Sequence, residues 1–369
     1  MTTHITMDRT RPLREQPGKG HNRWHPDIPA VATVRPGELV TLDTLDALDG
    51  QITPDTTPAD LGAVERRVAH ALTGPLYVEG AMPGDLLAVH IEAIDPQPFG
   101  FTANFNDFGF LRDIFTEPGL LRWTIEDGFA TSPDLTGVRI PGAPFMGVMG
   151  VAPSHELFER ILAREEALAA RGGRTVPPTI HGAVPAEEPI AGSGLRTAPP
   201  RENGGNVDIR QTTSGTTVYM PVYVPGALFS TGDAHFTQGD GEVCGTAIEM
   251  GATLTARFEV IKDGAGNQQD MSFERREYFA PPEIAVPRRF FATTGICVHK
   301  DGRAESEDLT LAARNAVLNM LEHIERSYGF SRQQAYLLSS VAVDLKISQV
   351  VDLPNVLVSA FLPLDIFEG

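Results

Sequence analysis

Between Arg201 and Met250 the chain concentrates the side chains best suited to chemistry: Glu202, Asp208, Asp233, His235, Asp240, Glu242, Cys244 and Glu249. They are interleaved with glycines and strand-forming apolar residues, and acids in such surroundings are costly unless paired, hydrogen-bonded or bound to a metal. In Gly232-Asp233-Ala234-His235 the acid and the imidazole stand at i and i+2, so a strand points both to one face. Gly239-Asp240-Gly241-Glu242 repeats that spacing after a turn. Carboxylates and an imidazole that converge suit a hard or borderline divalent ion with a position open to water, zinc first, with calcium or magnesium as alternatives. Such an ion polarises a carbonyl and acidifies water, leaving another carboxylate to move protons. The plainer reading is that these acids cap turns, as Asp beside Gly often does. Cys244 offers a rival chemistry, a thiolate with His235 as base attacking a carbonyl carbon. Its run VCGTAI equally suits a small buried residue.

Outside this segment, His21-Asn22-Arg23-Trp24-His25-Pro26-Asp27 is a dense polar and aromatic cluster. It reads either as reaching a pocket or a second subunit, or as a surface loop anchored by Trp24. Among Asp43, Asp46 and Asp49, Asp46 is the candidate to join a site, and Asp49-Gly50 reads as a turn. His70 and Glu79 flank Gly74-Pro75 and face either the site or solvent. Gly147-Val148-Met149-Gly150 is too short a glycine pattern for phosphate binding, and no Walker or dinucleotide fingerprint occurs.

The elements that must position these residues are mostly short strands. With 36 glycines and 29 prolines in 369 residues, chain reversals are frequent. The clearest strands are TTVYMPVYV (216–224) and ATLTARFEVI (252–261). Leu76 and Val78 on one side, Leu86 and Ala88 on the other, flank Met82-Pro83-Gly84-Asp85 and suggest a hairpin-like reversal. Residues 97–150 are rich in Phe and Gly without clear periodicity and read as loops around a site, with 97–110 as one wall. A helix is predicted over 154–171, capped by Ser154 and stopped by Gly172-Gly173. Residues up to about 200 then read as a long loop. A second helix begins at Ser306 and ends at Gly329, and Ser331 with Gln334 makes the capping box of a third. The expected fold is mainly β: a β-sandwich or barrel-like core of many short strands with a small C-terminal α+β portion. The organisation reads as a polar arm (1–20), a β-rich part (21–200), a central β-rich part carrying the acidic site (201–290) and the α+β part (291–369).

A net charge of −18 repels phosphate backbones and anionic lipid, which argues against nucleic-acid and membrane partners. Two cysteines make no disulfide scaffold, and no apolar run is long enough for a signal core or a membrane span. The expected compartment is the cytoplasm.

Several long strings resemble the acetamidase/formamidase family: HNRWHPDIPAV (21–31), TLDTLDALDGQI (41–52), TGPLYVEGAMPGD (73–85), GGNVDI (204–209) and GDAHFTQGDGE with AIE (232–249). The resemblance runs from His21 to about Phe367. It implies a metal-associated amidase of mainly β architecture, homo-oligomeric, acting on formamide, acetamide or related small amides, with γ-lactam opening as an alternative. HNRWHPDIP and His70 look formamidase-like, whereas Glu79 and GVMGVAP look more acetamidase-like. The resemblance points to Asp46, Asp208, Asp233, His235, Asp240, Glu242 and Glu249. The resemblance does not divide their roles; among them Asp208, His235 and Glu242 are expected to hold the ion, and Glu249, Asp233 and Asp46 to act in catalysis. Asn206, Gln238 and Asp240 are expected to contact substrate, in a small pocket.

Overall fold

A computed structural model describes residues 3–266, 268–275 and 289–368. Two large sheets share one apolar core. The first orders the strands Thr3–Ile5, Leu39–Thr44, Ala252–Ile261, Leu86–Pro96, Thr216–Pro221 and Ser272–Arg275. The second is built around Ala227–His235, which pairs antiparallel with Phe145–Gly150, Leu72–Val78 and Glu249–Met250. Glu249–Met250 connects onward to Phe99–Asn104 and Gly119–Glu126. The alternation of Leu39–Thr44 and Ala252–Ile261, buried at every second residue, is what a strand with one face on a core requires. Phe229 of the second sheet meets Phe258 of the first edge to face, ring centroids 5.1 Å apart, inside that core. The sandwich expectation holds, and the strand orders are open rather than closed into a barrel.

The segment 82–85 does turn, since the Asp85 N–H donates to Met82 O and the Met82 N–H to the Asp85 carboxylate. It is not a hairpin, however. Leu72–Val78 lies in one sheet and Leu86–Pro96 in the other, so the turn passes the chain between layers. The expectation of loops over 97–150 is also corrected, because five strands run through it, from Phe99–Asn104 to Phe145–Gly150. Two of them, Phe99–Asn104 and Phe145–Gly150, are buried almost throughout, which erases the alternation that marks a half-exposed strand. Residues 3–13 pack onto their own chain: Thr3–Ile5 pairs parallel with Leu39–Thr44, and Met7 and Leu13 are buried.

The helix His155–Ala170 starts where expected, with Ser154 Oγ accepting from the Leu157 N–H at 3.1 Å. The next long helix, Leu309–Tyr328, is capped by Asp308 rather than Ser306. Glu307 takes a left-handed φ of 58°, which breaks the helix before it. Gly329 closes it in the left-handed conformation. Both bonds of the Ser331/Gln334 capping box form at the start of Arg332–Ala342. The long helix lies on a three-stranded sheet of Phe290–Ile296, Leu357–Pro363 and Asp344–Gln349, with Thr293 Oγ1 donating to Ala316 O. Among the described residues no helix is long and apolar enough to cross a membrane.

The His21–Asp27 cluster is neither a pocket arm nor a surface loop. His21 Nδ1 meets Arg23 O at 2.6 Å and Nε2 meets Ser230 Oγ at 2.7 Å. Asn22 donates to Val68 O and Gly182 O, and Arg23 to Thr179 O and His181 O, which ties the 179–184 loop to the strands. Burial pushes the His21 imidazole down to about 4, against the pull of its bond to Arg23 O. The folded chain therefore resists protonating it, whereas the unfolded chain takes the proton near pH 6.5. The stability this confers is present above pH 6.5 and is lost as pH falls towards 4, an effect of about 3 kcal/mol. Denaturation midpoints of wild type and His21→Gln compared across that window should diverge, with the variant falling less steeply. Parallel curves would rule this out.

Candidate active site

The acids and imidazole of 208–249 come together at the middle of the second sheet. The strand Ala227–His235 delivers Asp233 and His235, its neighbour Glu249–Met250 delivers Glu249, and the turns after Asn206 and Gly239 bring Asp208 and Glu242. Three of these residues carry a left-handed backbone: Asp208 at φ 46°, Asp233 at 56° and Glu242 at 42°. Such angles cost energy in non-glycine residues and persist only where surrounding structure enforces them. Gly147 makes room beneath them. A Cβ there would stand 2.7 Å from Asp208 Oδ1 and 2.9 Å from Asp233 Oδ2, so any side chain would displace both carboxylates. The glycine pattern at 147–150 thus serves close approach of acids to backbone.

His235 is the hub. Its Nδ1 lies 3.0 Å from Gln238 Oε1, while Gln238 Nε2 donates to Asp208 O at 2.8 Å. A glutamine in that orientation accepts a hydrogen bond from Nδ1–H, which leaves Nε2 as the ring nitrogen facing the acids. Nε2 lies 3.2 Å from Glu249 Oε2 and 3.5 Å from Asp233 Oδ1. The ring is steadied edge-on by Phe145, 4.9 Å between centroids. Gln238 therefore orients the imidazole, and it is not among the described residues that line the cavity.

Two overlapping groups of donor atoms form, Asp208–Asp233–His235 and His235–Glu242–Glu249, each with its atoms within 4.8 Å of one another. Asp208 Oδ1, Asp233 Oδ1, His235 Nε2 and Glu249 Oε2 are buried and have no hydrogen-bond partner. Buried polar atoms are almost always satisfied, so four orphans pointing at one another fit a cation between them. The charges agree. Burial pushes Glu249 and Glu242 up to about 8, with their acidic neighbours adding to the rise and His235 opposing it. Burial and Glu242 also raise Asp208 well above the carboxylate range. Asp233 is held below that range: burial would raise it, but His70 and His235 prevail. Burial would lower His235, and the Glu249 and Asp233 carboxylates more than reverse it. Without a cation the cluster cannot carry its full negative charge.

Asp233, Glu242 and Glu249 open onto a cavity of about 570 Å³, larger than the small pocket expected. Asn206 lines it with a buried, unpartnered Oδ1, and Phe105 and Phe108 form part of the wall. His70 also lines it, its Nε2 3.8 Å from Asp233 Oδ2 and its backbone N–H donating to Thr197 Oγ1. The sequence offered His70 only as an imidazole facing site or solvent, and nothing in its spacing decided between them. The segment 171–199, read as a long loop, contains the short helix Ile190–Ser193 and the strand Leu195–Arg196 paired with Arg23–Trp24, and it supplies Arg174, Val176, Arg196 and Pro199 to the cavity.

Other candidates lie elsewhere. Asp240 is turned away, accepting from Gln211 Nε2 at 3.2 Å while its own N–H donates to Asp344. Glu202 grips Arg164, and Glu79 faces Arg35. Asp46 holds the N–H groups of Leu48 and Gly50 and sits behind Glu249, lining a separate small cavity with it. Burial pushes Asp46 up to about 6, against its two backbone bonds. Cys244 is fully buried, its Sγ near Thr246 O and Ala103 O, and burial pushes the thiol up to about 11. A thiol so placed is inert, and the thiolate reading fails on geometry.

The chain matches known proteins along nearly its whole length. The acetamidase/formamidase family model matches residues 6–369. The chain belongs to the acetamidase/formamidase family. It is 37% identical to the formamidase of Methylophilus methylotrophus, covering 100% of this chain and 94% of that one. It is 38% identical to the acetamidase of Mycolicibacterium smegmatis, covering 90% and 88% respectively. Among solved structures, a gamma lactamase from Delftia acidovorans superposes with a TM-score of 0.94 at 34% identity, covering 100% of this chain and 94% of that one. As a member of this family the chain is an amidase, acting on amide carbon–nitrogen bonds.

Proposed function

We propose that this member of the acetamidase/formamidase family hydrolyses small aliphatic carboxamides, formamide or acetamide, adding water across the C–N bond to give carboxylate and ammonia. The observation that carries the reading is the set of buried, unpartnered atoms on Asp208, Asp233, His235 and Glu249 beside the cavity. Asp208, Asp233 and His235 would hold a divalent ion, zinc before calcium or magnesium, since two carboxylates and an imidazole suit borderline ions. When bound, such an ion supplies Lewis acidity toward a carbonyl and toward water. The sequence-based expectation has Glu242 among the ligands and Asp233 among the proton carriers. The unpartnered atoms favour exchanging those two, because each of Asp208, Asp233 and His235 has one and Glu242 has none.

Glu249 acts as general base. Its Oε1 is fixed by the Ala247 N–H at 2.9 Å, which leaves Oε2 to take the proton of the attacking water and pass it to the departing nitrogen. Asn206 Oδ1 accepts an N–H of the substrate amide, and its position on the cavity wall supports that role. Phe105 and Phe108 keep bulk water from the reacting carbonyl. Asp46 serves through Glu249, by adding negative charge behind it. The proposed setting is the cytoplasm, as a homo-oligomer.

Cyclic amide opening is the second reading. The cavity is far larger than formamide needs, and the Delftia acidovorans chain of the same shape is a gamma lactamase. One panel tests both: ammonia from formamide and acetamide, and amino acid from a γ-lactam, for wild type and Cys244→Ala. Turnover of at least one substrate, kept within a few-fold in Cys244→Ala, is expected. Loss of activity in that variant while the protein stays folded would restore the thiol mechanism, and no turnover of any amide would remove the reading.

A further inference from the structure

Besides its acids, the cavity carries cationic side chains. Arg66, Arg174 and Arg196 all line it. Arg66 is paired with Asp107, and a further carboxylate of the lining, Glu165, is gripped by Arg201 at 2.6 and 2.9 Å. Arg196 differs from its neighbours. It is 8% exposed, and among the described residues its guanidinium makes one hydrogen bond, from Nη2 to Arg66 O at 3.1 Å. Among the described residues it has no ion pair, and its Nε is buried without a partner. The acid nearest in influence, Glu65, is already held bidentately by Arg67. Arg174 likewise has no carboxylate partner among the described residues; its Nη2 donates to the Asp107 carbonyl at 3.0 Å.

A buried guanidinium left with most of its donors unused is expensive, and a carboxylate that accepts from two of its N–H groups offsets that cost. The volume beyond what a formamide-sized molecule occupies lies in the same cavity as that guanidinium. Resting on the amidase reading, we propose that the cavity selects amides carrying a carboxylate distal to the scissile group, with Arg196 as the anchor of that carboxylate and Arg174 assisting at the mouth. The amide end meets Glu249 and Asn206, and the carboxylate end meets Arg196. Water adds across the C–N bond, so a monoamide of a dicarboxylic acid gives the dicarboxylate and ammonium. The reaction that supplies such a substrate is one that amidates one end of a dicarboxylate or opens a cyclic imide.

The test compares succinamate with butyramide, which has a methyl group in place of the carboxylate, by kcat/KM in wild type, Arg196→Gln and Arg196→Lys. Wild type should prefer succinamate by about 10- to 100-fold, the range expected for a charge-assisted bond. That ratio should collapse in Arg196→Gln and recover partly in Arg196→Lys. Succinate should also inhibit acetamide hydrolysis competitively in wild type, a readout that needs no variant to fold. Equal turnover of the two amides by wild type, with no inhibition by succinate, would overturn the anionic-substrate proposal and leave the amidase reading standing. Wild type inert on formamide, acetamide and both test amides would instead overturn the amidase reading and, with it, this one.

Discussion

Chelation of the enzyme as purified should abolish amide hydrolysis, and a divalent ion added back should restore it. Four buried atoms on Asp208, Asp233, His235 and Glu249 have no hydrogen-bond partner, and a cation is the one kind of group that satisfies all of them together. Glu242 and Glu249, both pushed up to about 8, and Asp208 stay partly protonated unless a positive charge lies between them. Loss of the ion removes its polarising effect and also lets the acids protonate or repel one another. A fall in turnover of at least about 10³-fold is expected, equivalent to several kcal/mol of transition-state stabilisation. The melting temperature should fall in parallel, because an ion bound only by the folded chain stabilises it. Elemental analysis after dialysis identifies which ion restores activity. Unchanged turnover and melting temperature in a preparation shown to be free of divalent ions would refute the ion-centred mechanism.

Glu249→Gln should lower kcat by about 10²- to 10⁴-fold, the usual range for a positioned general base. The substitution keeps the shape of the side chain and an oxygen to accept the Ala247 N–H, so the loss is of basicity and not of packing. KM and ion content should change little, which separates this variant from His235→Ala, where both donor groups lose their shared nitrogen. If Glu249→Gln instead emptied the site of its ion, Glu249 would be a ligand, and the second group, His235–Glu242–Glu249, would be the one that binds.

Much of this protein is legible without coordinates where a local rule acts alone. The capping bonds of Ser154 and of Ser331 with Gln334, and the left-handed stop at Gly329, depend on a few consecutive residues and fall where the sequence places them. Local rules misplace other features, beginning with the start of the long helix, which Asp308 caps in place of Ser306. Four turn residues at 82–85 look like a hairpin, yet only the packing of two layers decides whether the flanking strands pair with each other. Parts of 97–150 look like loops because Phe99–Asn104 and Phe145–Gly150, buried almost throughout, have no polar alternation to reveal them.

The sequence by itself determined the chemistry available: acids and one imidazole at i, i+2 spacing, a mainly β chain, and strings that resemble one amidase family. Residue type and spacing are properties of a short segment, and they carry that much. Only the tertiary structure decided which of those side chains meet. It turned Asp240 toward Gln211, gave Gln238 to the imidazole, sealed Cys244 away and brought His70 and Arg196 to the cavity. It also gave Gly147 its role, since a missing Cβ matters only where two carboxylates from other segments approach within 3 Å of it. Convergence of side chains far apart in the chain is set by strand register and by the paths of loops. Those are fixed by the burial of the whole core, which no short stretch of sequence encodes.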